Sequence, residues 1–297
     1  DGVHDGPWVG SYRIRYKIKG NPKVSIIIPT KDRVGSLKKC VESILNKTTY
    51  QNYEIVIVDN NSQEERTFEY YKSIEHHPKI KIIKYDKPFN FSAINNYAVS
   101  KVDSEFILFL NNDTEVITPE WLSAMVEHAQ RREVGAVGAK LLYPNNTIQH
   151  AGVILGVGNP PMSVHAFRGL SIYNHGYFGM ASIIRNYSAV TAACMLTKKS
   201  LFEEVGGFDE VNLPIAFNDV DYCLKLRERG YLIVYTPYAV LYHHESISRG
   251  YEDTPEKRTR FMKEVDYMRK KWGHVLDNDP YYNPNLTRDR EDFSIRV

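Results

Sequence analysis

The chain alternates short apolar runs with longer stretches whose apolar residues share one helical face. Residues 24–29 (VSIIIP) form a continuous, mostly β-branched run, the pattern of a strand buried on both faces. Leu37, Cys40, Val41, Ile44 and Leu45 then recur at helical spacing. Residues 54–59 (EIVIVD), 80–85 and 106–110 (FILFL) are expected as further strands, with helices over 64–76, 92–100 and 119–131. Pro119 falls in the first turn of the last helix, a favoured place.

Past residue 131 the pattern loosens. Residues 135–155 predict two strands, 189–197 another, and a short helix runs to about Val205 before Gly206-Gly207. Residues 156–187 are rich in Gly, Pro, Tyr and His with little periodicity; so long a loop inside a compact domain is usually functional or mobile. Residues 217–231 (FNDVDYCLKLRERGY) start a helix whose first turn holds Asp219 and Asp221. Residues 232–242 give one or two last strands, ending at His243-His244, and a polar helix over about 255–272 precedes an irregular tail. The first 23 residues are polar and irregular, with one alternating stretch at 12–16. Strands alternating with helices predict an α/β, doubly wound architecture on a parallel sheet.

Ligands of such sheets bind at the carboxyl ends of the strands. Polar residues cluster there: Thr30-Lys31-Asp32-Arg33, Asp59-Asn60-Asn61-Ser62 and Asn111-Asn112-Asp113-Thr114. An acid at a strand exit can hold Mg2+ or Mn2+ jointly with a diphosphate, or simply open an Asx turn. Asp59 can accept from a base imide or a ribose hydroxyl, and it can equally begin a turn. Thr30 and Asp32 share that ambiguity. His243 and His244 alternate faces at the end of a strand, so at most one faces a site. His150, His165 and His175 show no recognised metal-ligand spacing. No Gly-x-Gly-x-x-Gly, Walker or Gly-x-Ser-x-Gly motif sits where it would carry chemistry. Asp219 and Asp221 fit either helix capping or a catalytic base.

Composition narrows the classes. With 38 basic and 36 acidic residues the net charge is +2, which gives no nucleic-acid footprint. The longest apolar runs are strand-length, well short of the ~18 residues that span a bilayer, and no secretion signal opens the chain. The chain does not begin with Met, as expected of a piece of a longer protein. Cys40, Cys194 and Cys223 lie far apart in apolar segments and are expected as buried free thiols in a reducing compartment.

Individually these signals are weak; in this order they carry a resemblance. VSIIIPTKDR at 24–33, EIVIVDNNS at 54–62, NFSAINNYAV at 90–99, FLNNDTEV at 109–116, GGFDE at 206–210, FNDVDYCLKLRERGY at 217–231 and LYHHESISRG at 241–250 together resemble a family 2 glycosyltransferase with a GT-A fold. With QHAGVILG at 149–156, the later stretches are most similar to the bacterial subgroup that builds O-antigen, capsule and related glycans, including rhamnosyl- and galactosyltransferase-like members. The resemblance covers about residues 22–250.

The resemblance implies a Rossmann-like, mostly parallel sheet flanked by helices, with a C-terminal helical tail. It implies a lead-in over 1–22, a glycosyltransferase domain over 23–250 (nucleotide half 23–116, acceptor half 117–250) and a helix and tail over 251–297. Thr30, Asp32, Asp59, Asn95 and Asn112 match nucleotide-side positions. Asp113 matches the last acid of the family's Asp-x-Asp metal motif, whose first place is Asn111 here; this removes one charge but leaves an oxygen ligand. Ile94 stands where an Arg is often found. His243, favoured over His244 by its spacing to Ser248, completes the Mn2+ or Mg2+ shell. Asp219 matches the general base, Asp221 becomes its helix-side support, and Arg249 is a candidate to reach the diphosphate.

The implied activity is inverting transfer from a UDP- or dTDP-sugar to a glycan or lipid-linked glycan hydroxyl. It implies a cytoplasmic enzyme, at the inner membrane face if the acceptor is lipid-linked. A non-catalytic glycan- or nucleotide-binding module on the same fold is the competing expectation. A nucleotidyltransferase would want a glycine-rich phosphate loop, which Pro29-Thr30-Lys31-Asp32-Arg33 is not.

Overall fold

The first two strands form a hairpin, not a lone strand: β1 (Gly2–Asp5) pairs antiparallel with β2 (Tyr12–Arg15). The computed structural model describes residues 2–158, 160–244 and 254–296. After the hairpin come β3 (Val24–Thr30), α1 (Val34–Lys47), β4 (Tyr53–Asp59), α2 (Glu65–Ile74), β5 (Ile80–Lys84), α3 (Phe91–Val99), β6 (Phe106–Leu110), β7 (Thr114–Val116) and α4 (Trp121–Ala129). The run of α4 begins two residues later than its sequence suggested, because Glu120 is the cap and Pro119 precedes it.

The second half contributes β8 (Val134–Leu142), β9 (Ile148–His150), β10 (Val153–Leu155), β11 (Ser163–His165), β12 (Arg185–Tyr187), β13 (Cys194–Lys198), α5 (Lys199–Glu204), α6 (Asn218–Glu228), β14 (Leu232–His243) and α7 (Pro255–Leu276). Three strands, not two, fill 135–155. The stretch 156–187 is not structureless: β11 pairs with β10, and β12 pairs with β14.

One large sheet has the order β12-β14-β8-β13-β6-β3-β4-β5, with β7 added on β14 and β9 on β8. Its β6-β3-β4-β5 half is parallel, as expected of strands joined by helices. From β13 onward the sheet is mixed: β13 runs antiparallel to both β6 and β8, while β14 is parallel to β8. The chain lays β4 and β5 on one side of β3, then returns to place β6 on the other. That reversal opens a crevice beyond the carboxyl ends of β3 and β6, the place where such sheets bind ligands.

The parallel strands are buried on both faces, and the two faces feed separate cores. Ile27, Val56, Val58, Ile107 and Phe109 pack toward α3 and α6, whereas Ile26, Ile28, Ile55, Ile57 and Leu108 pack toward α1 and α4. Cys40, Cys194 and Cys223 are buried and unbridged. The polar C-terminal helix is part of the domain's packing: Val265, Met268, Trp272 and Leu276 of α7 belong to the first of these cores. The tail beyond it is also packed, with Phe293 stacked on Phe167 at 4.2 Å. Among the described residues no helix is long and apolar enough to cross a membrane.

Candidate active site

The crevice is an open cleft of about 1120 Å³, lined from the first strand exit by Thr30, Lys31, Asp32 and Arg33 and from the next but two by Asn111, Asn112 and Asp113. Its other walls are Gln149, Val153, Ser163, His165 and Arg168, the segment 191–193, the segment 215–220, and Lys257 and Arg260 of α7.

At the β3 end of the cleft, Asn112 Nδ2 donates to Thr30 Oγ1 at 2.8 Å, tying the exits of β6 and β3 together. Asp32 and Arg33 both have left-handed backbones (φ 52° and 53°). This costly geometry is held by Asp32 itself: its N–H donates to Ser62 Oγ, and its Oδ1 accepts from the N–H groups of Gln63 and Glu64 at the start of α2. Asp59 lines none of the cleft. It is buried and accepts from the Tyr71 hydroxyl at 2.9 Å, and its neighbour Asn60 reaches the cleft instead. Asn95 is likewise buried inside α3, donating to Phe91 O, with Ile94 facing the cleft.

His243 Nε2 lies 3.2 Å from Asp113 Oδ1 and 3.1 Å from Asn111 Nδ2. Asp113 Oδ1 and His243 Nδ1 are buried yet make no hydrogen bond. Beneath this turn, the Cys40 thiol lies 3.5 Å from Thr114 Oγ1 and 3.7 Å from Asn111 O, and burial raises its pKa to about 12. It therefore supports the turn as a neutral thiol. His244 points elsewhere: its Nε2 is 3.6 Å from Glu115, which Lys39 and Lys47 also hold. Burial pushes the Glu115 carboxyl up, and the adjacent lysines more than offset it.

A divalent ion fits the His243 corner. Donors on adjacent corners of an octahedral ion with ~2.1 Å bonds lie about 3 Å apart, close to the two separations seen. The orphaned Asp113 oxygen is the atom such an ion would satisfy. Turning the Asn111 amide would present oxygen in place of nitrogen, and the two are interchangeable in shape. Among the described residues no group of three or more His, Cys, Asp or Glu side chains could hold a metal, so the protein offers one carboxylate, one imidazole and one amide.

The same cleft is also lined by Asp219. Its Oδ2 accepts from Ala192 N at 3.0 Å and its Oδ1 from Val220 N at 2.8 Å. The segment holding Ala192 is pressed against β8 at Gly138, where any Cβ would lie 2.5 Å from Val190 Cβ. Phe217, the cap of α6, is left-handed (φ 59°) and lines the cleft. Two residues before it the loop is clamped from α7: Glu264 Oε1 accepts from Ile215 N and Ala216 N, both at 2.9 Å, and Glu264 is almost fully buried. Asp221 turns away from the cleft into the same helix. Its Oδ1 accepts from Lys271 Nζ at 2.6 Å and Trp272 Nε1 at 2.8 Å, and its Oδ2 lies 3.4 Å from Lys225 Nζ.

The family model described as glycosyl transferase family 2 matches residues 25–206, more than half of the chain. The chain belongs to glycosyltransferase family 2. It is 50% identical over 294 residues to the uncharacterized protein y4gI of Sinorhizobium fredii, covering 98% of this chain and 32% of that one. It is 41% identical over 296 residues to the O-antigen biosynthesis protein RfbC of Myxococcus xanthus, covering 96% of this chain and 22% of that protein. The chain thus spans a third or less of these relatives. Among solved structures it resembles the mannosyltransferase PcManGT of Pyrobaculum calidifontis in complex with GDP-Man and Mn2+ (TM-score 0.61, 16% identity, 91% of this chain and 71% of that one). It also resembles GalNAc-T7 with UDP, GalNAc and Mn2+ (TM-score 0.65, 13% identity, 84% and 48%). At these identities the likeness shows the fold, which is GT-A.

For this family 2 chain the structure brings Thr30, Asp32, Asn111, Asn112, Asp113, His243 and Asp219 to one cleft. It places Asp59, Asn95, Asp221 and His244 outside its lining. Arg249 and Ser248 lie outside the described residues. Sequence reasoning missed Gln149, His165, Lys257, Arg260 and Glu264. The first two sit in or near QHAGVILG, a stretch noted only for its resemblance; nothing in the spacing of α7 announces that its face meets the cleft.

Proposed function

We propose that this cleft binds a nucleotide-diphosphate sugar with Mn2+ or Mg2+ and transfers the sugar, with inversion, to a hydroxyl of a glycan or lipid-linked glycan acceptor. The observation that carries the reading is that Asp219, in the first turn of α6, and the Asp113–His243 pair, from the exit of β6 and the end of β14, line one cleft. The relative named for O-antigen biosynthesis supports a role in making a surface polysaccharide. Three buried free thiols accord with a reducing, cytoplasmic setting, at the membrane face if the acceptor is lipid-linked.

In this reading Thr30, Asp32 and Asn112 form the nucleotide wall, and Asp59 and Asn95 act through their cleft-lining neighbours Asn60 and Ile94. Asp113, His243 and the Asn111 amide hold the metal, which when bound supplies positive charge to the departing diphosphate. Lys257 and Arg260 add cationic groups on the α7 side. The acceptor oxygen attacks the anomeric carbon as the bond to the diphosphate oxygen breaks, and Asp219 takes the acceptor proton. Each Asp219 oxygen accepts one backbone N–H and keeps a lone pair for this task. The two amides fix the carboxylate's direction before substrate arrives.

Calorimetric titration of UDP, dTDP, GDP and CDP, each with and without Mn2+, tests the donor site. One pyrimidine nucleotide is expected to bind in a metal-dependent way. Binding of none would overturn the reading. Binding without nucleotide release from any sugar donor would favour a non-catalytic module, the alternative that Asn111 in place of an acid keeps open.

A further inference from the structure

We propose that Gln149, backed by His165, is the subsite that reads the hydroxyl groups of the transferred sugar. This rests on the donor-binding reading above and names the part of the cleft that would set sugar specificity.

Gln149 is 3% exposed, lines the cleft, and its Oε1 is buried without a hydrogen-bond partner. A buried amide oxygen left without a donor is unfavourable until a ligand supplies one. A primary amide both donates and accepts, so it matches a pair of neighbouring sugar hydroxyls. It offers no charge to a phosphate.

The neighbouring ring is oriented by the same strand. His165 Nδ1 lies 3.1 Å from the backbone carbonyl oxygen of Gln149, which can only accept, so that nitrogen carries the proton. In the neutral ring Nε2 is then an acceptor, and His165 lines the cleft. His150 packs edge-on behind it, with ring centroids 4.8 Å apart, and fixes its plane.

The wall also lies where a sugar must rest. At one end His150 of β9 is opposite Leu141 of β8, which is in turn opposite Leu241 of β14, two residues before His243. At the other, Val153 N donates to Ala189 O at 3.0 Å, three residues before the amide that holds Asp219. A sugar pinned between a diphosphate at Asp113–His243 and the base at Asp219 therefore meets Gln149, Val153, Ser163 and His165.

The test is calorimetry on the full chain with Mn2+, comparing wild type with Gln149→Leu and with His165→Phe. Each is titrated with UDP, dTDP, UDP-glucose, UDP-galactose, UDP-N-acetylglucosamine and dTDP-rhamnose. Gln149→Leu is expected to leave UDP or dTDP affinity within about twofold of wild type and to weaken the preferred nucleotide sugar by about tenfold or more. His165→Phe is expected to act in the same direction, and it keeps the proposal testable if the leucine variant does not fold. Unchanged nucleotide-sugar affinity in both variants would overturn the subsite. Equal weakening of bare nucleotide and nucleotide sugar would also overturn it, since the wall would then not be reading the sugar. If wild type binds no nucleotide, the donor-binding reading itself has failed.

Discussion

Asp219 and Asp221 stand two positions apart on α6 and do opposite things. Asp219 faces the cleft on two backbone amides, while Asp221 is wholly buried against Lys271 and Trp272 of α7. Two residues of an α-helix differ by about 200° in direction, so a pair of acids at this spacing serves two faces. One is free for chemistry and the other is structural.

Removing the structural acid should cost stability. Asp221→Ala removes the acceptor of Lys271 and of the buried Trp272 N–H, while Lys225 keeps its bond to Gly207 O and Lys271 is partly solvated, so the loss is expected at about 2–3 kcal/mol, below that of a fully buried pair. Urea unfolding measures it. A loss below about 1 kcal/mol would show that α7 is anchored by its apolar face alone.

Glu264 should act on rate through the loop it clamps. Glu264→Ala removes the acceptor for Ile215 N and Ala216 N, and Glu264→Gln keeps one. The alanine variant is expected to lose about tenfold or more in kcat with donor KM little changed, and the glutamine variant to recover most of it. Hydrogen exchange at Ile215 and Ala216 should rise in the alanine variant. Equal losses in both variants would assign the effect to charge, not to the clamp.

Metal dependence should reside in the β6 exit and the end of β14. Asp113→Ala or His243→Ala is expected to bring UDP or dTDP affinity in Mn2+ down to its metal-free level. His244→Ala should leave the difference intact, because His244 sits with Glu115 away from the cleft. Calorimetry decides between them, and a His244→Ala loss equal to that of His243→Ala would reverse the assignment.

A basic group outside the site gives a pH signature. Lys140 on β8 is buried, and burial lowers its pKa from 10.5 to about 8. The folded state resists its charge, so the penalty is complete below about pH 8 and gone above about 10.5. At 1.36 kcal/mol per unit it amounts to about 3 kcal/mol. Lys140→Met is therefore expected to stabilise at neutral pH, by up to that amount, with the advantage shrinking as pH rises through this window. Urea unfolding of both proteins across the window checks it; an advantage independent of pH would contradict it.

The parallel half of the fold was legible because its strands are buried on both faces and write continuous apolar runs, as in 24–29 and 106–110. So was the site that those strands deliver, since the exits of β3 and β6 must converge where the strand order reverses. The mixed half was less legible. β9, β10 and β11 are three residues each, too short for a period to show, and they carry Gln149 and His165. The work of α7 was hidden for a different reason: Glu264 and Trp272 matter through partners about fifty residues upstream, a relation that local pattern does not encode. Asp59 and Asn95 show the limit of carrying roles by position, since Tyr71 and the body of α3 take up their side chains.

The most direct test of the account is Asp219→Asn, measured for nucleotide-sugar binding and for nucleotide release in the presence of acceptor. Donor affinity is expected to stay within about twofold of wild type while turnover falls by about a hundredfold or more. Turnover equal to wild type would contradict Asp219 as the base, and with it the chemistry assigned to this cleft.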